Sequence, residues 1–276
     1  MSAQILDGKQ LASTLIEALK LRISKLKTQP ILYAVNLVKD PSIESYAASQ
    51  QKTANTLGID YKRVDASGKS QDEVIAVLEG LLKNPHAAIF IFTPTPKGIN
   101  LNVINSRIRE SRNIEGIYPF NLGLFFLGAG GICPPTPAAA MALLKSSNVP
   151  IAGKSAVIVG RSDTVGKPLM HLLLAENATV TVCHSKTRPD QLIAALKAAD
   201  IVCVCVGKAA FVQKAWIKPG AIVIDIGINQ MDGKIVGDVA PDVKEVAGFM
   251  SPVPGGVGPV TAVYLMHNVI DVLEEN

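Results

Sequence analysis

Apolar residues in the first hundred positions alternate between helical and strand-like spacing. The first helix is predicted by residues at near-helical spacing, which are Leu11, Leu15, Leu19, Ile23 and Leu26. The run ILYAVNL predicts a strand, followed by a helix from about Ile43 to Leu57 and the strand IDYKRV. A capping box from Ser70 to Glu73 begins the next helix, and AAIFIF is then a buried strand. This order predicts a parallel sheet with crossover helices.

The pattern weakens beyond Asn100, in a segment rich in Gly and Pro, and resumes at Ser155. Four apolar runs, SAVIVG, TVTVC, DIVCVCV and AIVIDI, predict strands of a Rossmann-like, doubly wound parallel sheet, with a last helix at the C-terminus. We therefore expect an α/β protein of two domains. An N-terminal α/β substrate domain would span residues 1–140, with a final helix at 262–276 packing back on it, and a nucleotide-binding domain would span 141–261.

Composition fits this fold and narrows the class of partner. Of 276 residues, 48% are hydrophobic and 18% charged, which is unlike a disordered chain. The net charge of +4 is spread without blocks, and the aromatic residues are scattered, so we expect no nucleic-acid partner. The N-terminal residues lack the pattern of a targeting segment and no apolar run is long enough for a membrane helix, so we expect a cytoplasmic protein.

The four cysteines, Cys133, Cys183, Cys203 and Cys205, form no CxxC pair. The run IVCVCV predicts a buried strand with both of its cysteines on one face. Structural thiols are favoured over disulfides or a metal site, and we expect no metal.

The stretch VIVGRSDTVGKP predicts a strand that breaks at Gly160 and enters a helix near Val165. Such a turn directs backbone N–H groups and the positive end of a helix toward a phosphate, and Arg161 adds a cation. The full three-glycine fingerprint is absent, so a tight connection without a ligand is the alternative.

A second polar stretch, CHSKT, follows the next strand. NAD-binding folds often carry an acidic residue about 20 positions after the glycine turn, where it binds the ribose. Here His184, Ser185 and Lys186 suit the 2′-phosphate of NADP instead, although polarity of a solvated loop is the alternative.

The stretch PVPGGVGPVT, from Pro252 to Thr261, precedes the last helix. Three Pro and three Gly residues fix a backbone that closely approaches a ligand, although a tight turn between domains needs similar residues.

The order of motifs resembles the methylenetetrahydrofolate dehydrogenase/cyclohydrolase family, of the FolD type, nearly from end to end. The matching stretches are DGK, DPSIESYAAS, PTPKGIN, PPTPAAA, GRSDTVGKP, CHSKT, VGK, VIDIGIN, GDV and PVPGGVGPVT. The resemblance implies a homodimer that uses NADP to oxidise 5,10-methylenetetrahydrofolate and then hydrolyses the methenyl product.

The resemblance and the motifs together assign two sets of site residues. The cofactor-binding residues are Thr136, Gly160, Arg161, Ser162, Val165, Gly166, His184, Ser185 and Ile228. The substrate-binding residues are Tyr46, Phe92, Glu115, Pro254, Gly255, Gly256 and Thr261.

Departures from the family pattern gather in the substrate half. Where the family has its catalytic lysine, four residues after Tyr46, this chain has Gln50, and Phe92 replaces the glutamine that supports that lysine. Lys52 is no obvious substitute, because two residues turn a helical side chain by about 200°. Glu115 stands where the family has an aspartate that anchors the pterin. In the stretch that the family has as PCTPxG, Pro135 replaces the cysteine and Ala139 replaces the glycine.

These departures predict an NADP-dependent dehydrogenase whose cyclohydrolase activity is lost or severely weakened, because Gln50 cannot exchange a proton near neutral pH. Three alternatives stay open. The chain could be a FolD-like oxidoreductase for another substrate, a catalytically silent NADP-binding protein, or a bifunctional enzyme with an unrecognised base.

Overall fold

The computed structural model of the chain describes residues 2–108 and 112–274. In chain order the described strands are β1 (Gln4–Ile5), β2 (Ile31–Asn36), β3 (Asp60–Asp65), β4 (Ala87–Ile91), β5 (Ser155–Val159), β6 (Thr179–Cys183), β7 (Ile201–Val204), β8 (Ile222–Asp225), β9 (Asn229–Met231), β10 (Lys234–Val236) and β11 (Phe249–Met250). The described α-helices are α1 (Gly8–Ile23), α2 (Pro41–Leu57), α3 (Gln71–Leu81), α4 (Leu101–Arg107), α5 (Pro119–Leu127), α6 (Pro135–Lys145), α7 (Gly166–Ala175), α8 (Pro189–Ala198) and α9 (Val257–Glu274). Short 3₁₀ helices cover Lys214–Trp216 and Pro241–Glu245.

The chain divides into two compact units. One contains Met1–Ser13 with Thr136–Thr261, and the other contains Thr14–Pro135 with Ala262–Asn276. We call them the nucleotide unit and the substrate unit. This division differs from the expected one at residues 1–13 and 136–140. The first residues group with the nucleotide unit because β1 pairs with β11 there, and a two-residue strand leaves no periodic signal in a sequence.

The sheet of the nucleotide unit has six parallel strands in the order β1-β11-β8-β7-β5-β6. The chain leaves β5 toward β6 on one side and returns to β7 on the other, so the strand order reverses between β5 and β7. Ligands of doubly wound sheets bind at the carboxyl ends of strands beside such a reversal. The fold therefore directs attention to the residues that follow Val159 and Val204.

The sheet of the substrate unit has the parallel order β3-β2-β4. Side chains alternate between the two faces of a strand. On one face, Val35, Ile89 and Ile91 pack into a core with Val74 and Leu78 of α3. The residues of opposite parity lie on the other face, where Tyr61, Arg63, Phe90 and Phe92 contact one another or α2.

Most predicted elements are confirmed within a few residues, including the capping box at the start of α3. The Ser70 backbone N–H donates to the Glu73 carboxylate at 2.8 Å, and the Ser70 hydroxyl accepts from the Glu73 backbone N–H. The prediction for IVCVCV was wrong at one end, because β7 stops at Val204 and Cys205 lies beyond it. Helices α4, α5 and α6 occupy the segment where the apolar pattern weakened.

Candidate active site

Tyr46 and Gln50 lie four residues apart on α2, so their side chains project from the same side of the helix. Gln50 is fully buried, with 0% of its surface exposed. The hydroxyl of Tyr61 on β3 donates to Oε1 of Gln50 at 3.0 Å. Nε2 of Gln50 has no hydrogen-bond partner among the described residues. Lys52 is exposed, so it does not replace the missing lysine in this pocket.

Aromatic rings and one arginine surround the family's glutamine position. Phe92 is 1% exposed and contacts Phe90 edge to face, with ring centroids 4.9 Å apart, and Tyr46 at 6.2 Å. Cζ of Arg63 lies 5.3 Å from the centre of the Phe92 ring. Phe92 therefore packs as a core residue against these rings.

The charge of Arg63 is already engaged. Its guanidinium donates to both carboxylate oxygens of Glu44, at 3.0 and 3.3 Å, and to Oδ1 of Asn36 at 2.9 Å. An arginine does not release its proton at ordinary pH. Arg63 therefore packs over the Phe92 ring and cannot take over the proton transfer of a lysine.

The ionisable groups around Gln50 favour their protonated forms. Burial raises the pKa of Tyr46 to about 12, against an opposing effect of the adjacent Gln50 amide. Burial also raises the pKa of Tyr61, and it raises the pKa of Glu115 to about 8. Near neutral pH the ionisable side chains around Gln50 therefore favour their uncharged forms, apart from the ion pair of Arg63 with Glu44.

Buried amides hold the backbone that carries Glu115. The Glu115 N–H donates to Oδ1 of Asn113 at 3.1 Å, and Nδ2 of Asn113 donates to Oδ1 of Asn105 at 3.1 Å. Nδ2 of Asn268 on α9 donates to the carbonyls of Ile114 and Cys133, at 2.8 and 3.0 Å. The position of Glu115 is thus fixed by neighbours on both sides of the chain.

The glycine turn of the nucleotide unit lies at the strand-order reversal. Gly160 has φ of +133°, and a Cβ there would come within 2.5 Å of both the carbonyl oxygen and Sγ of Cys205. Only glycine fits this close approach. The Ser162 hydroxyl accepts from the backbone N–H groups of Val165 and Gly166, at 3.2 and 3.4 Å, and so shapes the start of α7. Arg161 is exposed beside it.

The CHSKT turn lies next to the glycine turn, because the Gly160 N–H donates to the carbonyl of Cys183 at 2.8 Å. Three hydrogen bonds close this turn. The Thr187 N–H donates to the His184 carbonyl at 2.8 Å, the His184 N–H donates to the Thr187 hydroxyl at 2.9 Å, and the Lys186 N–H donates to Nδ1 of His184 at 3.1 Å. Ser185 and Lys186 are exposed at its tip. The fold brings together the two stretches that the sequence assigned to the cofactor.

Two buried carboxylates organise the loops after β7 and β8. Asp238 accepts from the N–H groups of Val206, Gly207 and Lys208, at 2.6 to 2.9 Å, which fixes the turn after β7. Asp225 accepts from the N–H groups of Gly227, Asp238 and Val239, at 2.9 to 3.1 Å. Burial raises the pKa of Asp225 to about 6, although these donors oppose the rise. Ile228, which follows this braced turn, is 68% exposed.

The remaining predicted residues lie in the loop from Pro252 to Thr261, at the start of α9, or in α6. The Gly8 N–H donates to the carbonyl of Gly255 at 3.0 Å, and a Cβ on Gly8 would meet the carbonyl of Gly256, so this loop packs against the start of α1. Pro254 lies in the same loop. The Thr261 hydroxyl is buried and donates to the carbonyl of Val257 at 3.1 Å. Thr136 lies partly buried in the first turn of α6.

In the described part of the chain, no cluster of three His, Cys, Asp or Glu side chains is placed to hold a metal ion. The four cysteines are free thiols, and burial raises the pKa of Cys133 and of Cys205 to about 12. Across residues 2–108 and 112–274, no helix is long and apolar enough to cross a membrane.

Comparison with known proteins agrees with this architecture. A sequence model of the catalytic domain of tetrahydrofolate dehydrogenase/cyclohydrolase matches residues 6–115, and a model of the NAD(P)-binding domain of the same family matches residues 134–276. The chain belongs to this family. Membership confirms the resemblance inferred from the motifs and the two-domain α/β fold. It identifies the described Rossmann-like unit as the NAD(P)-binding half of an oxidoreductase.

Full-length relatives of the family support the assignment. The bifunctional protein FolD 2 of Desulfitobacterium hafniense is 44% identical over 274 residues, covering 97% of this chain and 96% of that protein. The bifunctional FolD of Campylobacter jejuni matches with a TM-score of 0.95 and 33% identity, covering 99% of each chain. A FolD structure from Trypanosoma brucei, complexed with NADP cofactor and an inhibitor, matches with a TM-score of 0.93 and 30% identity, covering 100% of this chain and 98% of that one.

Several residues of the pocket were not expected from the sequence. Tyr61, Arg63 and Asn36 lie on strands, and their roles depend on which face of the sheet they share with α2. Asp225 gave a detectable signal, because a carboxylate inside the apolar run AIVIDI has to be buried with donors around it.

Proposed function

We propose that the protein is an NADP-dependent 5,10-methylenetetrahydrofolate dehydrogenase in which cyclohydrolase activity is lost or severely weakened. The observation that carries this proposal is that Gln50, a neutral amide, stands at the position of the family's catalytic lysine. Its side chain is fully buried and accepts a hydrogen bond from Tyr61. The family and its FolD relatives support the dehydrogenase half, and the uncharged pocket supports the loss of the second half.

The nucleotide unit fits NADP. The turn at Gly160 approaches Cys205 so closely that no Cβ fits between them, and Ser162 arranges the start of α7 beside it. Arg161, Ser185 and Lys186 are exposed there with donors or positive charge suited to phosphate groups. We infer that these residues, with His184, Thr136 and Ile228, hold the cofactor. NADP, when bound, supplies the hydride acceptor.

Oxidation of the methylene carbon needs little from the protein beyond alignment. Lone pairs on the folate nitrogens drive loss of the hydride, so the reaction requires no protein acid or base. The methenyl product carries a positive charge. A neutral Gln50 does not repel that charge, whereas a protonated lysine at the same place would. The substitution is therefore compatible with oxidation.

Hydrolysis of the methenyl group is more demanding, because water must be activated and protons must move. A positioned acid or base contributes roughly 10²- to 10⁴-fold to such a step. Gln50 cannot supply it, and Phe92 has no polar atom with which to orient water. With Tyr46 and Tyr61 holding their protons, we expect the methenyl product to leave without accelerated hydrolysis.

The proposal is tested with purified protein, NADP and 5,10-methylenetetrahydrofolate, with NADPH and the methenyl product followed as separate signals. We expect one methenyl group for each NADPH formed. The decay of the methenyl compound should match the rate in buffer. Enzyme-dependent decay as fast as the formation of NADPH would refute the loss or severe weakening of cyclohydrolase, and absence of NADPH would refute the dehydrogenase.

One observation favours a second candidate, a bifunctional enzyme that uses Glu115 in place of the lysine. Its pKa of about 8 lies in the range suited to proton transfer near neutral pH. The Glu115→Gln variant separates the two cases. Hydrolysis present in the wild type and abolished in this variant, with oxidation retained, would support the second candidate.

A further inference from the structure

Tyr61 lies on the sheet face beneath α2, and no motif in the sequence pointed to it. Its side chain is buried, and its hydroxyl donates to Oε1 of Gln50 at 3.0 Å. A primary amide has its acceptor and its donors on opposite corners. Holding the oxygen toward Tyr61 therefore turns the NH₂ group of Gln50 away from β3.

The Gln50 amide lies on the same side of α2 as Tyr46, a predicted substrate-binding residue. The amide lies close enough to the Tyr46 hydroxyl to lower its pKa, and the carboxyl group of Glu115 also lies near Tyr46. Within the described residues this NH₂ group has no acceptor. A buried donor without an acceptor is destabilising, and a ligand that supplies an acceptor removes that penalty.

We propose that Tyr61 is a positioning residue, which fixes the Gln50 amide as a hydrogen-bond donor to an acceptor atom of the folate-type substrate. The inference rests on the proposed function and adds the recognition of the substrate to it. Ring nitrogens and carbonyl oxygens of a pterin are acceptors of the required kind. A lysine presents donors in any orientation, whereas an amide presents a donor or an acceptor according to how it is held. Tyr61 gains this role because residue 50 is glutamine.

The first test is the Tyr61→Phe variant, which keeps the ring and removes the hydroxyl. We expect the KM for 5,10-methylenetetrahydrofolate to rise roughly 3- to 10-fold, the effect of one hydrogen bond. The kcat should stay within about twofold, because the bond is made equally in the bound substrate and in the transition state. The KM for NADP should be unchanged. A residue that only stabilises the fold would not produce this selective change.

A double-mutant cycle tests whether Tyr61 acts through Gln50. In Gln50→Met, which keeps the length of the side chain but has no amide, the substrate KM should already be raised. Adding Tyr61→Phe to it should then change the KM less than about twofold. Tyr33→Phe is the matched control, because Tyr33 lies on β2 with the opposite parity and so on the other face of the sheet. It should leave the KM at the wild-type value.

Urea unfolding of each variant shows whether the variant is folded. If Tyr61→Phe does not fold, the inference is tested by the substrate KM of Gln50→Met. The inference is overturned if either folded variant, Tyr61→Phe or Gln50→Met, has the substrate KM of the wild type. It is also overturned if Tyr61→Phe raises the KM in the Gln50→Met background as much as it does in the wild type.

Failure of the proposed function gives a different result, namely a wild-type protein that makes no NADPH. In that case, binding of tetrahydrofolate to the wild type and to Tyr61→Phe is measured by titration calorimetry. Weaker binding to Tyr61→Phe than to the wild type would support the positioning role. Equal binding, or no binding to either protein, would overturn it.

Discussion

Restoring the two altered side chains of the pocket tests the account of Gln50 from the opposite direction. The double variant Gln50→Lys with Phe92→Gln places an amine where Gln50 is 0% exposed, together with an amide that can hold it. Burial disfavours the charged ammonium and lowers the pKa of such a lysine, and the Tyr61 hydroxyl is within reach as a partner. A lysine with a lowered pKa is suited to exchange protons near neutral pH.

The expected gain is set by what one acid or base contributes. We expect enzyme-dependent hydrolysis of 5,10-methenyltetrahydrofolate to rise by about 100-fold, the lower end of the usual contribution, because the pocket was not shaped for this lysine. Gln50→Lys alone should gain less, since Phe92 cannot support the amine. Loss of the Phe92 ring contacts with Phe90 and Arg63 should lower the free energy of unfolding by roughly 2–4 kcal/mol.

The assay follows the disappearance of methenyltetrahydrofolate with each purified variant. Gln51→Lys is the matched control, because it adds the same charge one residue away on the exposed side of α2. It should leave hydrolysis at the wild-type level. A folded double variant that still forms NADPH and hydrolyses no faster than the wild type would refute the reasoning.

Further predictions concern charge and backbone geometry. Burial raises the pKa of Glu115 in the folded state above its value in the unfolded state. The free energy of unfolding should therefore fall between about pH 4.5 and pH 8, by up to about 1.4 kcal/mol per pH unit. Urea unfolding measured across this pH range should show a smaller fall for Glu115→Gln. Gly160→Ala should weaken NADP binding in calorimetry by at least roughly tenfold, because its Cβ would collide with Cys205, while Gly123→Ala, where a Cβ meets nothing within 4 Å, should bind normally. Ser185→Asp should weaken NADP binding by roughly 10- to 100-fold and leave NAD binding unchanged or improved, since its carboxylate repels a 2′-phosphate; equal loss for both cofactors would contradict the assignment.

The sequence predicted the parallel-sheet units because long apolar runs with alternating helices leave few alternatives. It did not predict the pairing of β1 with β11, since each of these strands has only two residues, too few to show periodicity. The sequence did not predict helix α5 either. Its sequence PFNLGLFFL is apolar on most sides, so no helical face stands out.

The site was predictable where a motif is local in sequence and unpredictable where contacts cross the sheet. The turn at Gly160 could be inferred from adjacent residues alone. The Tyr61–Gln50 bond depends instead on the register of β3 and on the side of the sheet that α2 covers. The contacts of Phe92 with Phe90 and Arg63 likewise cross the sheet, and a sequence motif does not reveal them.

The most direct measurement is the fate of the methenyl group during turnover of 5,10-methylenetetrahydrofolate with NADP. The account predicts that methenyltetrahydrofolate accumulates in a one-to-one ratio with NADPH and decays only at the rate seen in buffer. Methenyl product that disappears in proportion to enzyme concentration, as fast as NADPH forms, would contradict the central claim that the hydrolytic step is lost or severely weakened.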